Sequence, residues 1–253
     1  MESNSSETIA GGSTALIKLQ ANGALVEKVP CPNSSAYVHD LSIRDLQREY
    51  NAYQTLPRHP RLLDLHPTSR AERLILPYLR HGCLHDYLRQ HDVPETHQVR
   101  FAADAAEGLH VLHAADIVHG DVNSWNFLVD DHLHLRVIDF AGSTIRGTTG
   151  SAFEGAHYCL PRSFDDPSTI RTDLFALGSL ICEISTCRLP YEDCSDLEVE
   201  QKFRARQFPC TRSLRLGEVI RACWEGTYDS AQLVWDSVQG YLMRSHDGDK
   251  DSL

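Results

Sequence analysis

An aspartate, an asparagine five residues later and a second aspartate thirteen beyond that stand out in this chain. They lie in His119-Gly120-Asp121-Val122-Asn123-Ser124-Trp125-Asn126 and in Asp139-Phe140-Ala141-Gly142. If Phe127-Leu128-Val129 and Leu135-Arg136-Val137-Ile138 form a hairpin, Asp121, Asn126 and Asp139 converge on one metal-bound phosphate. The chemistry that such a set serves is phosphoryl transfer, which needs charge compensation on the phosphates, metal ligands and a carboxylate to orient the attacking hydroxyl.

The elements that must position these groups are legible in outline. Thr8-Ile9 opens a short strand, and two more apolar runs, Ala15 to Leu19 and Ala24 to Val29, flank Asn22-Gly23, a strong hairpin signal. Ser42-Ile43-Arg44-Asp45 reads as a capping box, with Ile43, Leu46, Tyr50 and Tyr53 at helical spacing behind it. Two further apolar runs, residues 61–65 and 73–76, are expected to complete a small sheet. Beyond Leu79 the pattern turns helical: one helix from Gly82 to Leu88, a longer one striped by Val99, Ala102, Ala106 and Leu109, and a run over 174–184 that is apolar nearly all round and so expected to be buried. Residues 216–243 supply the remaining helices. The expectation is an α+β fold of two lobes, residues 1–78 sheet-rich and 79–246 helical, with 247–253 a polar, disordered tail. The chemistry then falls in the cleft between the lobes.

Composition narrows the class. A chain of 253 residues can bury a large core. A formal net charge of −11 gives nucleic acid no general attraction. The first residues carry no basic region followed by an apolar core, so no targeting peptide is expected, and no apolar run approaches the roughly 20 residues that span a bilayer. The eight cysteines are scattered without a CxxC pair and read as reduced thiols of a cytoplasmic protein. His132 and His134 share a strand face but lack the third ligand that zinc requires.

The stretch around Asp121 resembles the protein-kinase catalytic loop, HxDxxxxN, and Asp139-Phe140-Ala141 its DFG partner. The wording is closest to a divergent, fungus-expanded group with HGDxxxxN and DFAGS, and the resemblance runs from about Ile9 to about Met243. It implies a bilobal, ATP- and magnesium-dependent protein kinase of the serine/threonine kind acting on a protein substrate. In that resemblance Asp121 is the catalytic base, Asn126 a second-metal ligand and Asp139 the main magnesium ligand. Lys28 reaches the α- and β-phosphates and Glu49 holds it, where the plain alternative is a solvated strand-end lysine and an ordinary helix glutamate. Leu76-Pro77-Tyr78-Leu79 resembles the hinge, with the Pro77 carbonyl and the Leu79 N–H toward adenine. Leu76 is the gatekeeper, and Ile17, Val26 and Leu128 sandwich the base, positions that plain core apolars would fill equally well. Asp173 matches the aspartate that anchors the catalytic loop. Arg188-Leu189-Pro190-Tyr191, Phe208-Pro209 and Cys223-Trp224 match later protein-kinase landmarks not expected in small-molecule kinases.

The departures are specific. The phosphate loop, Ala10-Gly11-Gly12-Ser13-Thr14-Ala15, keeps only Gly12 of its glycines, and Ala10 stands on another. Asn123 replaces a lysine and removes a charge from the transferring phosphate. Gly120 replaces the arginine that meets a phosphorylated activation segment, although Thr144, Thr148, Thr149 and Ser151 are available acceptors. Ala141 replaces the DFG glycine. Leu160-Pro161-Arg162 lacks the glutamate of APE, and residues 228–231 lack its arginine partner. Gly155 stands where a threonine helps to select serine or threonine, which leaves the hydroxyl preference open. Two alternatives follow: a catalytically weak pseudokinase acting as a nucleotide-binding scaffold, and a small-molecule phosphotransferase. Oligomeric state is not readable from the chain.

Overall fold

In the computed structural model, residues 7–12, 15–31 and 35–248 are described. Four antiparallel strands in the order β1-β2-β3-β4 form the first sheet: β1 (Glu7–Gly11), β2 (Ala15–Leu19), β3 (Leu25–Pro30) and β4 (Leu74–Pro77). The turn between β2 and β3 forms where Asn-Gly places it. Gly23 takes φ +66°, a region that costs glycine nothing, and the Asn22 side chain accepts from the Ala24 N–H. Register pairs Ile17 with Lys28 across β2 and β3, and Val26 with Leu76 across β3 and β4.

Helix α1 (Ala36–Thr55) packs against β3. Its start corrects the capping-box expectation. Ser35 is the N-cap, accepting from the Val38 N–H, whereas Ser42 lies in the second turn with its hydroxyl donating back to the Val38 carbonyl. Serine satisfies either geometry, and the helix upstream, Ala36 to Asp40, is largely exposed and lays no buried stripe. Residues 61–65 are a second correction, since they form no strand of the sheet. Leu62 makes a single parallel bridge to Val137, and Leu62 and Leu63 are buried in the helical half. The reason is electrostatic: the nearly buried Arg61 guanidinium pairs with Asp104 at 2.5 Å and Glu107 at 3.2 Å, both on the long helix of the other lobe.

That lobe contains α2 (Leu84–Gln90), α3 (Glu95–Ala114), the two-residue strand β5 (Ile117–Val118), the hairpin β6 (Phe127–Val129) with β7 (Leu135–Val137), and β8 (Thr144–Ile145), which pairs with β5. It continues through α4 (Ile170–Thr186), α5 (Asp196–Arg204), α6 (Gly217–Glu225) and α7 (Ala231–Gly248). Helix α4 is buried from Thr172 to Ile184, as its all-round apolarity requires, and packs on α3 and α6. Gly178 permits that packing, because a Cβ there would lie 2.7 Å from the Cβ of Cys223. Helix α5 was not foreseen, though Ser195 and Glu198 form a capping box that announces it. Helix α7 continues to Gly248, and residues 249–253 of the expected tail lie outside the described residues. Among the described residues no helix is long and apolar enough to cross a membrane.

Candidate active site

Alternation along β3 puts Val26 and Lys28 on one face and Glu27 on the other, where Glu27 meets Gln20 and Arg73. The inner face decides the nature of Lys28. Its Nζ lies 2.6 Å from Glu49 Oε2 on α1 and 2.8 Å from Asp139 Oδ1 beyond β7, with the lysine side chain 10% exposed and that of Glu49 1%. Burial opposes charge on this lysine, but the Asp139 and Glu49 carboxylates outweigh it and hold its pKa above the ordinary value. Asp139 is held below its ordinary value, Lys28 overcoming the penalty of burial. Glu49 moves the other way. Burial pushes it up, because two carboxylates share one ammonium and Glu49 is the more deeply enclosed.

Asp139 takes φ +66°, a strained region for a side-chain-bearing residue. The strain is held by its neighbours. Phe140, fully buried, is wedged between Tyr53 of α1, at a ring separation of 5.1 Å, and His119, at 5.9 Å. The position of α1 and that of Asp139 are thereby coupled through one side chain.

Asp121 and Asn126 are brought together by a short 3-10 turn, Ser124–Asn126. Asn123 caps it, its side-chain oxygen accepting from the Trp125 and Asn126 N–H groups. The Asn123 amide donates to one oxygen of Asp121 at 2.8 Å and the Asn126 amide to the other at 3.0 Å. Both carboxylate oxygens are therefore oriented by residues of the same loop. Burial nevertheless pushes the Asp121 carboxyl above its ordinary value, His119 and the two amides opposing and Asp139 reinforcing it. His119 donates from Nε2 to the Ile138 carbonyl at 2.9 Å and its Nδ1 accepts from the Asp121 N–H, which ties the two motif segments together. Asp173 of α4 accepts from the backbone N–H groups of His119 and Gly120 at 2.8 and 2.9 Å.

Magnesium prefers oxygen donors. The Asn126 Nδ2 and the Asp139 Oδ1 are spent on protein partners, and no hydrogen bond among the described residues uses Asn126 Oδ1 or Asp139 Oδ2. The donor set left over fits a hard divalent cation. At the expected hinge, the Tyr78 N–H is spent on the Ala24 carbonyl, while no hydrogen bond among the described residues uses the Leu79 N–H. Val26 and Leu76 are buried, and Ile17, Leu79 and Leu128 are half-buried against the core, with Pro77 closing β4. Ala10 and Gly12 are exposed on the β1–β2 hairpin, where the Gly12 N–H donates to the Ala15 carbonyl. Ser13 and Thr14, the tip of the expected phosphate loop, lie outside the described residues.

The sequence model of the protein tyrosine and serine/threonine kinase family matches residues 33–231. The chain belongs to the protein kinase superfamily. A probable serine/threonine-protein kinase of Dictyostelium discoideum is 24% identical over 200 residues, covering 74% of this chain and 22% of the relative. Serine/threonine-protein kinase STY17 of Arabidopsis thaliana is 26% identical over 162 residues, 60% of this chain and 28% of the relative. Tyrosine-protein kinase FRK of Homo sapiens is 28% identical over 200 residues, 71% and 39% of the two chains. The chain thus spans well under half the length of each of these relatives.

The departures from the family pattern acquire physical reasons. Gly120 takes φ +77°, and a Cβ there would lie 3.1–3.2 Å from Ser168 and Ala152, so the backbone and the packing both favour glycine. Asn123 is part of the scaffold around Asp121. Arg162, in the place of the APE glutamate, is a charge inversion with a partner of its own. Its guanidinium lies 2.6 Å from Glu154 in the activation segment, donates to Ser168 and stacks over Phe153. The sequence offered no tertiary pairing for it, since the partner is local.

One network went unforeseen. Glu183 of α4, fully buried, accepts from the Tyr158 hydroxyl and from Arg89 at 3.2 Å, with His85 Nδ1 3.1 Å away. Tyr158 also meets the Ser124 hydroxyl, and His85 stacks on the half-exposed Trp125 at 3.8 Å. The 3-10 turn is held from beneath by this cluster. A glutamate in an apolar helix was its only sequence signal.

Proposed function

We propose that this domain is an ATP- and magnesium-dependent protein kinase that transfers the γ-phosphate to a protein hydroxyl, serine or threonine before tyrosine. The observation that carries the reading is Lys28 bound at once to Glu49 and Asp139, beside an Asp121 whose two oxygens are each oriented by an amide. In this reading Lys28 sets charge against the α- and β-phosphates, and Asn126 and Asp139 hold magnesium, which would neutralise charge on the phosphates. Asp121 accepts the hydroxyl proton, its raised pKa bringing it nearer the working pH. Ile17, Val26 and Leu128 enclose adenine, with Leu76 behind it, the Pro77 carbonyl and Leu79 N–H along its edge, and Ala10 and Gly12 over the phosphates. The relatives' printed names include serine/threonine kinases and a tyrosine kinase, and the order serine or threonine first rests on the former. Against a small-molecule phosphotransferase stands the short passage from the hinge through α2 directly into α3, with no inserted helices among the described residues.

The scaffold reading is favoured by one observation: Asn123, in place of a charged residue, is spent on the turn and on Asp121. Radiolabelled phosphate transfer to the chain itself and to generic protein substrates separates the two. Wild type should label its substrate with magnesium present, and Asp121→Asn and Lys28→Ala should not. If all three are equally silent while magnesium-dependent ATP binding still raises the melting temperature, the scaffold reading replaces the kinase one.

A further inference from the structure

Residues 142–152 close on themselves as a tight loop in front of the site. The Gly142 carbonyl accepts from the Ser151 and Ala152 N–H groups, and the Thr144 hydroxyl oxygen accepts from the Gly150 N–H. Gly142 and Gly150 touch back to back, since a Cβ on Gly150 would fall 2.2 Å from the Gly142 carbonyl oxygen. The loop's edge strand β8 pairs with β5, and the buried Ser143 hydroxyl donates to the His119 carbonyl, two residues from Asp121. Across the neck of this loop lies Arg48. A single guanidinium nitrogen, Nη1, donates to the Ser143 carbonyl at 3.1 Å and to the Thr149 carbonyl at 2.8 Å. Arg48 directly precedes Glu49, the partner of Lys28.

We propose that Arg48 is a positioning residue that fastens α1, and with it the Glu49–Lys28 pair, to the activation segment through backbone carbonyls, so that the site is assembled without a phosphorylated hydroxyl. The proposal rests on the kinase reading for its effect on rate, though not for its effect on the loop. Charged donors on carbonyls are stronger than neutral ones, and both acceptors belong to the main chain, so side-chain replacement at Thr149 leaves the contact intact. Because one nitrogen makes both bonds, a lysine ammonium with three donors can take its place. The line of contacts runs from Glu49 through Arg48 and Ser143 to His119, joining the lysine-bearing lobe to the loop that carries Asp121.

The test compares the whole chain as wild type, Arg48→Lys, Arg48→Ala and the triple variant Thr148→Ala/Thr149→Ala/Ser151→Ala. Measured for each are kcat and KM for ATP, melting temperature, and amide hydrogen exchange of residues 142–152. Arg48→Ala should lower kcat roughly tenfold or more, with KM for ATP and melting temperature nearly unchanged, and should speed exchange in the loop. Arg48→Lys should restore kcat to within about threefold, and the triple variant and phosphatase-treated wild type should match untreated wild type. The proposal is overturned if Arg48→Ala leaves loop exchange unchanged, if lysine fails to rescue, or if the triple variant loses as much activity as Arg48→Ala. A wild type that transfers no phosphate defeats the kinase reading instead, and the exchange comparison then decides the clamp by itself.

Discussion

The Glu154–Arg162 pair gives the sharpest stability test, because it is where the chain inverts a charge and keeps it buried. The Glu154 side chain is fully buried and that of Arg162 is 8% exposed, with 2.6 Å between the charged atoms. Arg162→Met keeps the length and apolar stem but strands the carboxylate. Removing one partner of a buried pair costs about 3–5 kcal/mol. At about 2–4 °C per kcal/mol for a domain near this size, the melting temperature should fall by about 6–20 °C, and the urea midpoint should fall with it. The double variant Arg162→Met/Glu154→Gln removes the stranded charge and should recover at least half of the loss.

The pH dependence carries a sign. Burial raises the Glu154 pKa even with Arg162 present, the arginine opposing it, and without the arginine it must rise further. A raised carboxyl pKa favours folding of the protonated form, so the cost of the stranded carboxylate is full above the folded pKa and vanishes as pH falls toward the unfolded value of about 4.3. The gap between wild type and Arg162→Met should therefore narrow from about pH 8 to about pH 5. Thermal and urea unfolding at both pH values measure it. An Arg162→Met variant within about 1 kcal/mol of wild type, or a double variant no better than the single, refutes the reasoning.

Three further outcomes are expected. Gly120→Ala should destabilise by about 1–2 kcal/mol from the left-handed backbone alone, with Ser168 and Ala152 adding crowding, so urea unfolding should show a lowered midpoint. An arginine placed there should not raise kinase activity, and a gain would contradict the packing argument. Asn123→Ala should lose about 1 kcal/mol of stability as the 3-10 turn loses its cap, and should lower kcat more than KM because Asp121 loses one of its two orienting amides. A change in KM alone would sink that role. The rate–pH profile should show an acid limb above the ordinary aspartate value of about 3.9, since activity falls as pH drops through a raised Asp121 pKa. A limb at or below that value would defeat the assignment.

Much of the molecule is legible in the sequence, for reasons of local chemistry. Asn22-Gly23 turns a hairpin because Gly23 takes positive φ cheaply and the Asn22 side chain accepts from the turn backbone, and the all-round apolarity of α4 has no outcome except burial. The spacing of Asp121, Asn126 and Asp139 follows from one capped turn and one hairpin, both short in sequence. The pattern is ambiguous where a residue type serves two geometries. Ser42 satisfies a cap or a helix interior equally, and 61–65 is apolar enough for a strand until the Arg61 ion pairs draw it to the other lobe.

Pairings across long separations were decided by the tertiary structure alone. Lys28 and Asp139 are far apart in the chain yet share a 2.8 Å contact, and Arg48 reaches the carbonyls of Ser143 and Thr149 across the same gap between lobes. Whether Lys28 is a solvated lysine or a buried one depends on which carboxylates face it. A one-dimensional pattern sets periodicity and caps. It leaves unassigned the partner that a buried charge finds, because that choice is made by packing: Arg162 stands where the family has a glutamate and pairs instead with Glu154, and Gly120 and Asn123, which read as missing charges, proved to be fitted to the backbone and to Asp121.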